Sequence, residues 1–313
     1  MLKVLIFVFN PDLMESKLKE QYPDFIIKSW SSWKACDDFI EEADILICHK
    51  ISDELLRKAK KLKWIQLLSA GCDHILSLPS YRKDIILSTA KNIHHIPISE
   101  YVMSYILCLS HRTFDYINLQ KERKWTRIEG TELTNKTLGL IGAGSIGKEI
   151  ARKAKPFGMN IVAVKRTPEQ IEFIDEVYGI NEMDIIFTRS DFIVLALPLM
   201  ESTKNLIGKK EIGKMKSTAY LINIARGEIL DEQALIGALK EKRLAGAVLD
   251  VFREEPLRED SELWNVENLI ITPHISWSGE YTFERLTELV LENMARYVNG
   301  ERLKYLFESE IGY

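Results

Sequence analysis

Three polar residues in the last third of the chain combine the groups needed to reduce a ketone that lies beside a carboxylate. They are Arg226, Glu255 and His274. A guanidinium can hold a carboxylate and polarise a neighbouring ketone, and a protonated imidazole can give a proton to the forming alkoxide. A carboxylate beside the imidazole orients it and favours its charged form. Each residue alone could be an ordinary surface or turn residue, so the interpretation depends on the elements that position all three.

A glycine-rich stretch in the middle of the chain has the setting of a dinucleotide-binding loop. An apolar run at residues 137–141 leads into Gly142-Ala143-Gly144-Ser145-Ile146-Gly147, a helical pattern follows, and residues 161–164 are apolar again. The spacing predicts a βαβ unit. Gly142 would allow the tight turn, Gly144 the approach of a pyrophosphate, and Gly147 close packing of helix on strand. The alternative is a glycine-rich turn that binds nothing.

The residues after the second of these strands bear on the choice between the two nicotinamide dinucleotides. An NAD site usually has an acidic residue there, whereas this chain has Lys165, Arg166 and Thr167. Because a guanidinium can contact a phosphate bidentately, these residues predict a preference for NADP(H), with Arg166 as the main 2′-phosphate contact. NAD(H) stays possible, and the alternative is a solvated basic turn. Glu169 follows Pro168 and is poorly placed to supply the missing acid.

Apolar runs place these residues in two parallel α/β sheets. Strands are predicted at 4–9, 25–28, 45–48, 64–68 and 85–88, and six more at 137–141, 161–164, 192–195, 219–223, 247–249 and 269–272. Arg226, Glu255 and His274 follow the last three strands, so they are expected at the carboxyl edge of the second sheet, where ligands bind. In the first sheet Gly71 follows the fourth strand, in a loop that either contacts ligand or is an ordinary turn.

The predicted fold is therefore α/β with two Rossmann-like, doubly wound domains. Residues 1–98 and 277–313 form a flavodoxin-like substrate domain, and residues 99–276 form the dinucleotide-binding domain, with the active site expected in the cleft between them. One long helix is predicted over 98–118 and an amphipathic helix over about 277–313. Residues 119–135 are polar and contain Trp125, which we expect in an arm that packs on a neighbouring chain or on its own domain.

Composition excludes several classes of function. The 313 residues are 46% hydrophobic and 28% charged, with a net charge of −4, which disfavours nucleic acid and anionic membranes as partners. No apolar run approaches the ~20 residues of a membrane span. The apolar N-terminus ends at Asn10-Pro11 and predicts a first strand rather than a secretory leader. Neither Cys36, Cys48, Cys72 and Cys108 nor the pair His94-His95 has the spacing of a metal site, so we expect no metal, reduced thiols and a cytoplasmic location.

Seven segments together resemble the D-isomer-specific 2-hydroxyacid dehydrogenase family, in the family's order and over nearly the whole chain. They are residues 69–73, 98–101, 142–147, 197–199 with Thr203, 223–227 with Asp231, 249–252 with Glu255-Pro256, and 272–274. The resemblance implies a substrate-binding and catalytic Arg226, a general acid/base His274 with Glu255 as its partner, and a carboxylate cradle at Ala70, Gly71 and Cys72. It implies further cofactor contacts at Ser145, Ile146, Leu197, Pro198, Thr203, Ile224, Ala225, Asp250 and His274, with Asp250 holding the nicotinamide carboxamide.

The resemblance also implies an activity and an assembly. Family members are homodimers joined through the cofactor domain, and Lys165-Arg166-Thr167 is similar to the family's NADPH-linked glyoxylate/hydroxypyruvate reductases. We therefore expect reduction of a small 2-keto acid to the D-2-hydroxy acid. The alternatives are an NAD-linked D-3-phosphoglycerate dehydrogenase, a non-catalytic dinucleotide-sensing co-repressor and, more distantly, a methyltransferase with a similar glycine loop. Trp277 is either a wall of the substrate pocket or a packing residue of the tail helix.

Overall fold

The computed structural model describes residues 1–32 and 37–308 of the chain. Its contacts divide the chain into two compact units. The first contains residues 1–94 and the chain from Gly279 onward, and the second is His95–Ser278. The two units divide at 94/95 and 278/279. The domain boundaries predicted from the sequence are 98/99 and 276/277, so they differ from these by four and two residues.

The first unit alternates strands and helices along the chain. In order these are β1 Lys3–Phe7, α1 Asp12–Gln21, β2 Ile26–Trp30, α2 Asp37–Ile40, β3 Ile45–Cys48, α3 Asp53–Lys58, β4 Trp64–Leu67, α4 Asp73–Leu76 and β5 Ile86–Ser88. The strands pair in parallel in the order β2-β1-β3-β4-β5, the flavodoxin-like order. Every residue of β3 and β4 is buried, as expected for parallel strands covered on both faces.

The second unit begins with helices and continues as a larger sheet. In order its elements are α5 His95–Ser110, α6 Thr113–Lys121, β6 Thr137–Ile141, α7 Ser145–Ala154, β7 Asn160–Val164, β8 Glu176–Tyr178, α8 Asp184–Arg189, β9 Phe192–Leu195, α9 Lys209–Ile212, β10 Tyr220–Asn223, α10 Glu232–Lys240, β11 Gly246–Leu249 and β12 Leu269–Ile271. The strand order is β12-β11-β10-β9-β6-β7-β8. Strands β6 to β11 have the Rossmann order, 3-2-1-4-5-6 when they are numbered along the chain, and β12 adds a seventh strand beside β11.

Two expectations about the second unit were wrong. The sheet has seven strands rather than six. The missed strand, β8, is a half-buried edge strand of three residues in which only Val177 is aliphatic, so it leaves no apolar run in the sequence. The single helix predicted over 98–118 is two helices. Arg112 adopts a left-handed backbone conformation with φ of 55°, which ends α5 and starts α6, and nothing in its residue type predicts that conformation.

The last helix, α11, spans Thr282–Val298 and belongs to the first unit. Its apolar face packs with Val4, Ile6 and other residues of the first sheet in one buried cluster, through Leu286, Leu289, Val290 and Met294. The tail is helical over a shorter range than the 277–313 predicted, since residues 299–308 are irregular and Leu306 makes a bridge to Ser88.

Two parallel sheets of five and seven strands confirm the predicted fold class. Among the helices of residues 1–32 and 37–308, none combines the length and apolar character needed to cross a membrane. Within the described residues, Cys48, Cys72 and Cys108 form no disulfide, and Cys36 lies outside those residues.

Candidate active site

Adjacent strands of the second sheet position the three residues that could carry the chemistry. Strands β10, β11 and β12 are parallel neighbours, so their carboxyl ends meet at one edge of the sheet. Arg226 follows β10, Glu255 follows β11 and His274 follows β12. All three therefore lie on loops at the same edge.

His274 and Glu255 form a direct pair. Nδ1 of His274 lies 2.8 Å from Oε2 of Glu255, and the other carboxylate oxygen accepts the backbone N–H of Phe252 at 3.1 Å. The two side chains keep 35% and 26% of their surface exposed, so they are accessible from outside. Since Nδ1 faces the carboxylate, Nε2 is the nitrogen that can exchange a proton with a substrate oxygen.

Arg226 is held by the strand end that precedes it. The amide of Asn223, which is fully buried, donates to the carbonyl of Arg226 at 3.1 Å and accepts the N–H of Ala225 at 3.1 Å. The guanidinium is half-buried and donates to the carbonyl of Ala225 at 2.7 Å. No role for Asn223 was predicted from the sequence, although a buried side-chain amide at the end of a strand commonly bonds the backbone of the following loop.

Gly227 lets the loop of Arg226 approach the loop of Glu255. A Cβ on Gly227 would lie 2.0 Å from the carbonyl carbon of Phe252, so no other residue fits without a shift of backbone. Arg253 strengthens this contact, because its guanidinium donates to the carbonyl of Leu230 at 2.7 and 3.0 Å. Its backbone N–H donates to Glu232, whose pKa is raised mainly by burial. The sequence predicted no role for Arg253, and none for Gly227 beyond its place in the 223–227 motif.

The loop of His274 is anchored to the buried carboxylate of Asp250. This carboxylate accepts the N–H groups of Ile275 and Ser276 at 2.8 and 2.9 Å and the hydroxyl of Thr272 at 2.6 Å. His274 itself has a left-handed backbone with φ of 52°. Trp277 lies before α11 rather than in the tail helix, and its indole N–H donates to the carbonyl of His274 at 2.8 Å. Its ring packs on the core of the second unit.

The glycine loop divides into positions that the fold requires and one that it does not. A Cβ on Gly142 would lie 2.3 Å from the carbonyl oxygen of Ala196, and one on Gly147 would lie 2.3 Å from that of Gly142. Gly142 also has a left-handed φ of 106°. A Cβ on Gly144 would meet nothing within 4 Å, so this glycine leaves open space at the N-terminus of α7. That space, beside amides with no side-chain cap, fits a pyrophosphate.

The basic residues after β7 lie at the surface. Lys165 is half-buried and pairs with Glu169, and this ammonium lowers the pKa of the Glu169 carboxyl. Arg166 and Thr167 are exposed, and the Arg166 guanidinium lies 3.7 Å from Sδ of Met200. Arg166 thus extends from the end of β7 toward the loop after β9.

The remaining predicted cofactor residues lie at the ends of β9 and β10. In the loop after β9, Oγ1 of Thr203 lies 2.9 Å from the carbonyl oxygen of Pro198 and accepts the N–H of Met200 at 2.8 Å, which closes this loop next to Leu197. Ile224 and Ala225 are buried directly after β10. Both loops therefore lie at the same sheet edge as Gly142.

In the first unit, Ala70, Gly71 and Cys72 follow the carboxyl end of β4. The hydroxyl of Ser69 donates to the carbonyl of Gly71 at 2.8 Å, which shapes the turn. The Cys72 side chain is buried, so this loop can offer a ligand its backbone rather than a thiol. In the described part of the chain, no group of three or more His, Cys, Asp or Glu side chains is arranged to hold a metal ion.

The sequence of the chain is similar to those of known proteins of one family. Residues 103–276 match the model of the NAD binding domain of D-isomer specific 2-hydroxyacid dehydrogenases. A glyoxylate reductase of Thermococcus gammatolerans is 34% identical over 280 residues, which are 85% of this chain and 82% of that protein. A D-3-phosphoglycerate dehydrogenase of Methanocaldococcus jannaschii is 35% identical over 84% of this chain. The chain spans only 51% of the length of that protein.

A solved structure agrees over the full length. The NADPH-dependent glyoxylate/hydroxypyruvate reductase of Sinorhizobium meliloti, solved with NADP and sulfate, has a TM-score of 0.89 at 27% identity and covers 100% of both chains. The resemblance inferred from the sequence motifs is thereby confirmed. The protein is a member of the D-isomer specific 2-hydroxyacid dehydrogenase family.

Proposed function

We propose that this chain reduces a small 2-keto acid, of the glyoxylate or hydroxypyruvate type, to the D-2-hydroxy acid. The observation that carries the proposal is the pair of His274 and Glu255, 2.8 Å apart and accessible at the edge of the dinucleotide sheet. A nicotinamide dinucleotide supplies the hydride when it is bound. The relatives named glyoxylate reductase support the choice of substrate.

The chain's own residues would then act on the keto acid. Arg226 binds the carboxylate and polarises the ketone, as a cation placed where negative charge develops. His274 donates a proton from Nε2 to the ketone oxygen, while Glu255 keeps the imidazole oriented through Nδ1. The backbone at Ala70, Gly71 and Cys72 would hold the substrate carboxylate, and Trp277 would border the pocket while it holds the carbonyl of His274.

The glycine loop and the loops beside it would hold the cofactor. The open space at Gly144 admits the pyrophosphate to the amides of Ser145 and Ile146, with Gly142 and Gly147 shaping the turn. From the family motifs we propose further cofactor contacts at Leu197, Pro198, Thr203, Ile224 and Ala225, and at Asp250, which would hold the nicotinamide carboxamide. In the reductase of S. meliloti the bound cofactor is NADP.

Preference for NADP(H) is part of the proposal. Arg166 is exposed at the end of β7 and would contact the 2′-phosphate, with Thr167 beside it. Lys165, which is paired with Glu169, would assist Arg166 in binding the 2′-phosphate. We expect Arg166→Ala to lower catalytic efficiency with NADPH and to leave efficiency with NADH nearly unchanged. Equal efficiencies of the two cofactors in the wild-type protein would contradict the preference.

The test is the initial rate of NADPH and NADH oxidation with glyoxylate, hydroxypyruvate, pyruvate and 3-phosphohydroxypyruvate. Fast NADPH turnover of the first two acids supports the proposal. NADH turnover of the phosphorylated acid would favour a D-3-phosphoglycerate dehydrogenase, a candidate supported by the M. jannaschii relative. Binding of NADPH without turnover of any keto acid would favour a dinucleotide sensor.

We also propose a homodimer formed through the second unit. Trp125 is 97% exposed, and α6, which precedes it, has no buried residue. The arm is anchored at Tyr116, whose hydroxyl bonds the backbone of Ile128 at 2.6 and 3.0 Å. An exposed indole on such an arm favours packing on a second copy over packing on its own domain.

Light scattering after gel filtration tests the assembly. We expect a dimer that Trp125→Ala weakens, while Trp264→Ala, at another exposed tryptophan, leaves it unchanged. A wild-type monomer at micromolar concentration would contradict the dimer. A cytoplasmic location belongs to the same proposal, in keeping with the reduced state of Cys48, Cys72 and Cys108.

A further inference from the structure

A chain of hydrogen bonds joins helix α5 to the loop of His274. The hydroxyl of Tyr101 lies 2.6 Å from Oγ1 of Thr272, and Oγ1 of Thr272 donates to Oδ1 of Asp250 at 2.6 Å. The two oxygens of Asp250 accept the N–H groups of Ile275 and Ser276, directly after His274. All of these residues belong to the second unit.

The direction of the bonds in this chain is fixed by chemistry. A threonine hydroxyl has one proton, and the carboxylate of Asp250 can only accept, so Thr272 must give its proton to Asp250. Tyr101 is therefore the donor to Thr272. Burial raises the pKa of the Tyr101 phenol well above its usual value, which keeps this donor protonated. The chain thus runs one way, from Tyr101 through Thr272 to Asp250.

Asp250 controls the backbone at His274. The carboxylate is fully buried, so its rotation is set by the groups that donate to it. Its bonds to Ile275 and Ser276 hold the chain on one side of His274, which has a left-handed φ of 52° that is uncommon for any residue other than glycine. Such a conformation persists only where the surroundings over-determine it. The bond of Trp277 to the carbonyl of His274 is the second constraint.

We propose that Tyr101 is a positioning residue for His274, acting through Thr272 and Asp250. Its hydroxyl aligns the Asp250 carboxylate, which fixes the loop and so the distance over which His274 delivers its proton. The inference rests on the proposed function, because it assigns that proton to His274. Because the Tyr101 hydroxyl acts through Thr272 and the loop of His274, its removal should change the chemical step and not the binding of substrate. The ring of Tyr101 packs on Tyr105, with 4.6 Å between centroids, and this packing is kept in a phenylalanine variant.

The test begins with Tyr101→Phe, which removes only the hydroxyl. We expect kcat for keto-acid reduction to fall roughly 3- to 10-fold, the value of one hydrogen bond, with KM for the keto acid nearly unchanged. Hydrogen exchange at the amides of Ile275 and Ser276 should become faster by a similar factor. Tyr116→Phe is the control, because it removes a hydrogen-bonded phenol of the same unit that bonds the arm instead.

Variants of Thr272 separate positioning from general stability. Thr272→Ser keeps the hydroxyl and should retain kcat and amide protection, whereas Thr272→Val should lose both to the extent of Tyr101→Phe. The double variant Tyr101→Phe with Thr272→Val should be no worse than Thr272→Val alone, because both act through one chain.

Unchanged exchange at Ile275 and Ser276 in Tyr101→Phe would overturn the inference, as would a change in KM without a change in kcat. The exchange measurement needs no substrate. If the wild-type protein reduces no keto acid, the proposed function fails while the exchange of these two amides still decides whether Tyr101 positions the loop.

Discussion

Each unit contains a buried polar network, and the two differ in where their hydrogen bonds end. In the first unit the fully buried amide of Gln66 accepts from Ser88 and Asn293, both at 2.7 Å, and Ser88 accepts the indole N–H of Trp64 at 2.8 Å. Every member is neutral, and Asn293 passes the network on to the backbone of Lys304 at 2.7 and 3.1 Å. The bonds join β4, β5 and α11 and end inside the unit.

In the second unit the network has a carboxylate, Asp250, at its centre and leads to an accessible group. Its bonds fix the backbone next to His274, whose side chain is 35% exposed. Both networks satisfy buried polar groups, as they must. A network whose bonds end inside its unit stabilises the fold, whereas the network that leads to the exposed imidazole positions the side chain that we propose acts on the substrate. The two kinds of variant should therefore separate in activity and in stability.

The largest expected effect is on activity, at His274. We expect His274→Asn to lower kcat by roughly 10² to 10⁴, the usual value of a general acid. Asparagine is chosen because it tolerates the left-handed backbone at this position. The melting temperature should stay close to that of the wild type, and His111→Asn at an exposed site is the control. A loss below tenfold would remove His274 from the proposed role.

The glycine loop should separate binding from folding in the same way. We expect Gly144→Ala to weaken NADPH binding by roughly 10- to 100-fold, the cost of an intruding methyl group, with no loss of stability. A Cβ there meets no protein atom within 4 Å. Gly147→Ala should instead lower the melting temperature, because its Cβ would lie 2.3 Å from a carbonyl oxygen. Unchanged cofactor affinity in Gly144→Ala, measured by calorimetry, would contradict the proposed pyrophosphate site.

The network of the first unit should affect stability alone. We expect Asn293→Ala to lower the free energy of unfolding by about 1 to 3 kcal/mol, because the buried amide oxygen of Gln66 loses a donor and the N–H of Lys304 loses its acceptor. Denaturant unfolding followed through Trp64, which is in the same network, measures the change. The kcat per folded molecule should not change. A fall in kcat without a fall in stability would mean that the two networks do not differ as described.

A smaller effect is expected from pH in the first unit. Burial, with the nearby His94, His74 and Lys50, lowers the pKa of His49 to about 4. Between about pH 6.5 and 4 the unfolded chain therefore binds more protons at this site than the folded one, and stability falls as pH falls through that window. We expect the melting temperature of His49→Gln to fall less between pH 7 and pH 5 than that of the wild type. Equal losses would contradict the shift.

The sequence predicts buried, continuous features well. Strand β3 has the predicted bounds, Ile45–Cys48, because four apolar residues covered on both faces leave a clear pattern. The edge strand β8 leaves no such pattern, and the left-handed Arg112 between α5 and α6 is a local conformation that its residue type does not favour. The glycine motif from Gly142 to Gly147 could be recognised because it is short and its spacing is fixed along the chain.

Features of the site that depend on distant contacts could not be predicted. Tyr101 and Thr272 are separated by 171 positions, and no spacing rule joins them. The need for glycine at position 227 arises from the backbone of Phe252, on another loop. The sequence placed Arg226, Glu255 and His274 at one edge of a sheet through topology, but the bonds that hold each loop in place follow only from the folded structure.

The pairing of His274 with Glu255 is tested most directly by kcat for keto-acid reduction in Glu255→Gln, measured with saturating NADPH beside the wild type. The amide keeps the size of the side chain but removes the carboxylate that lies 2.8 Å from Nδ1 of His274. We expect kcat to fall roughly 10-fold or more, because the imidazole loses the group that orients it for proton transfer, with KM for the keto acid nearly unchanged. An unchanged kcat, with NADPH binding intact, would contradict the pairing.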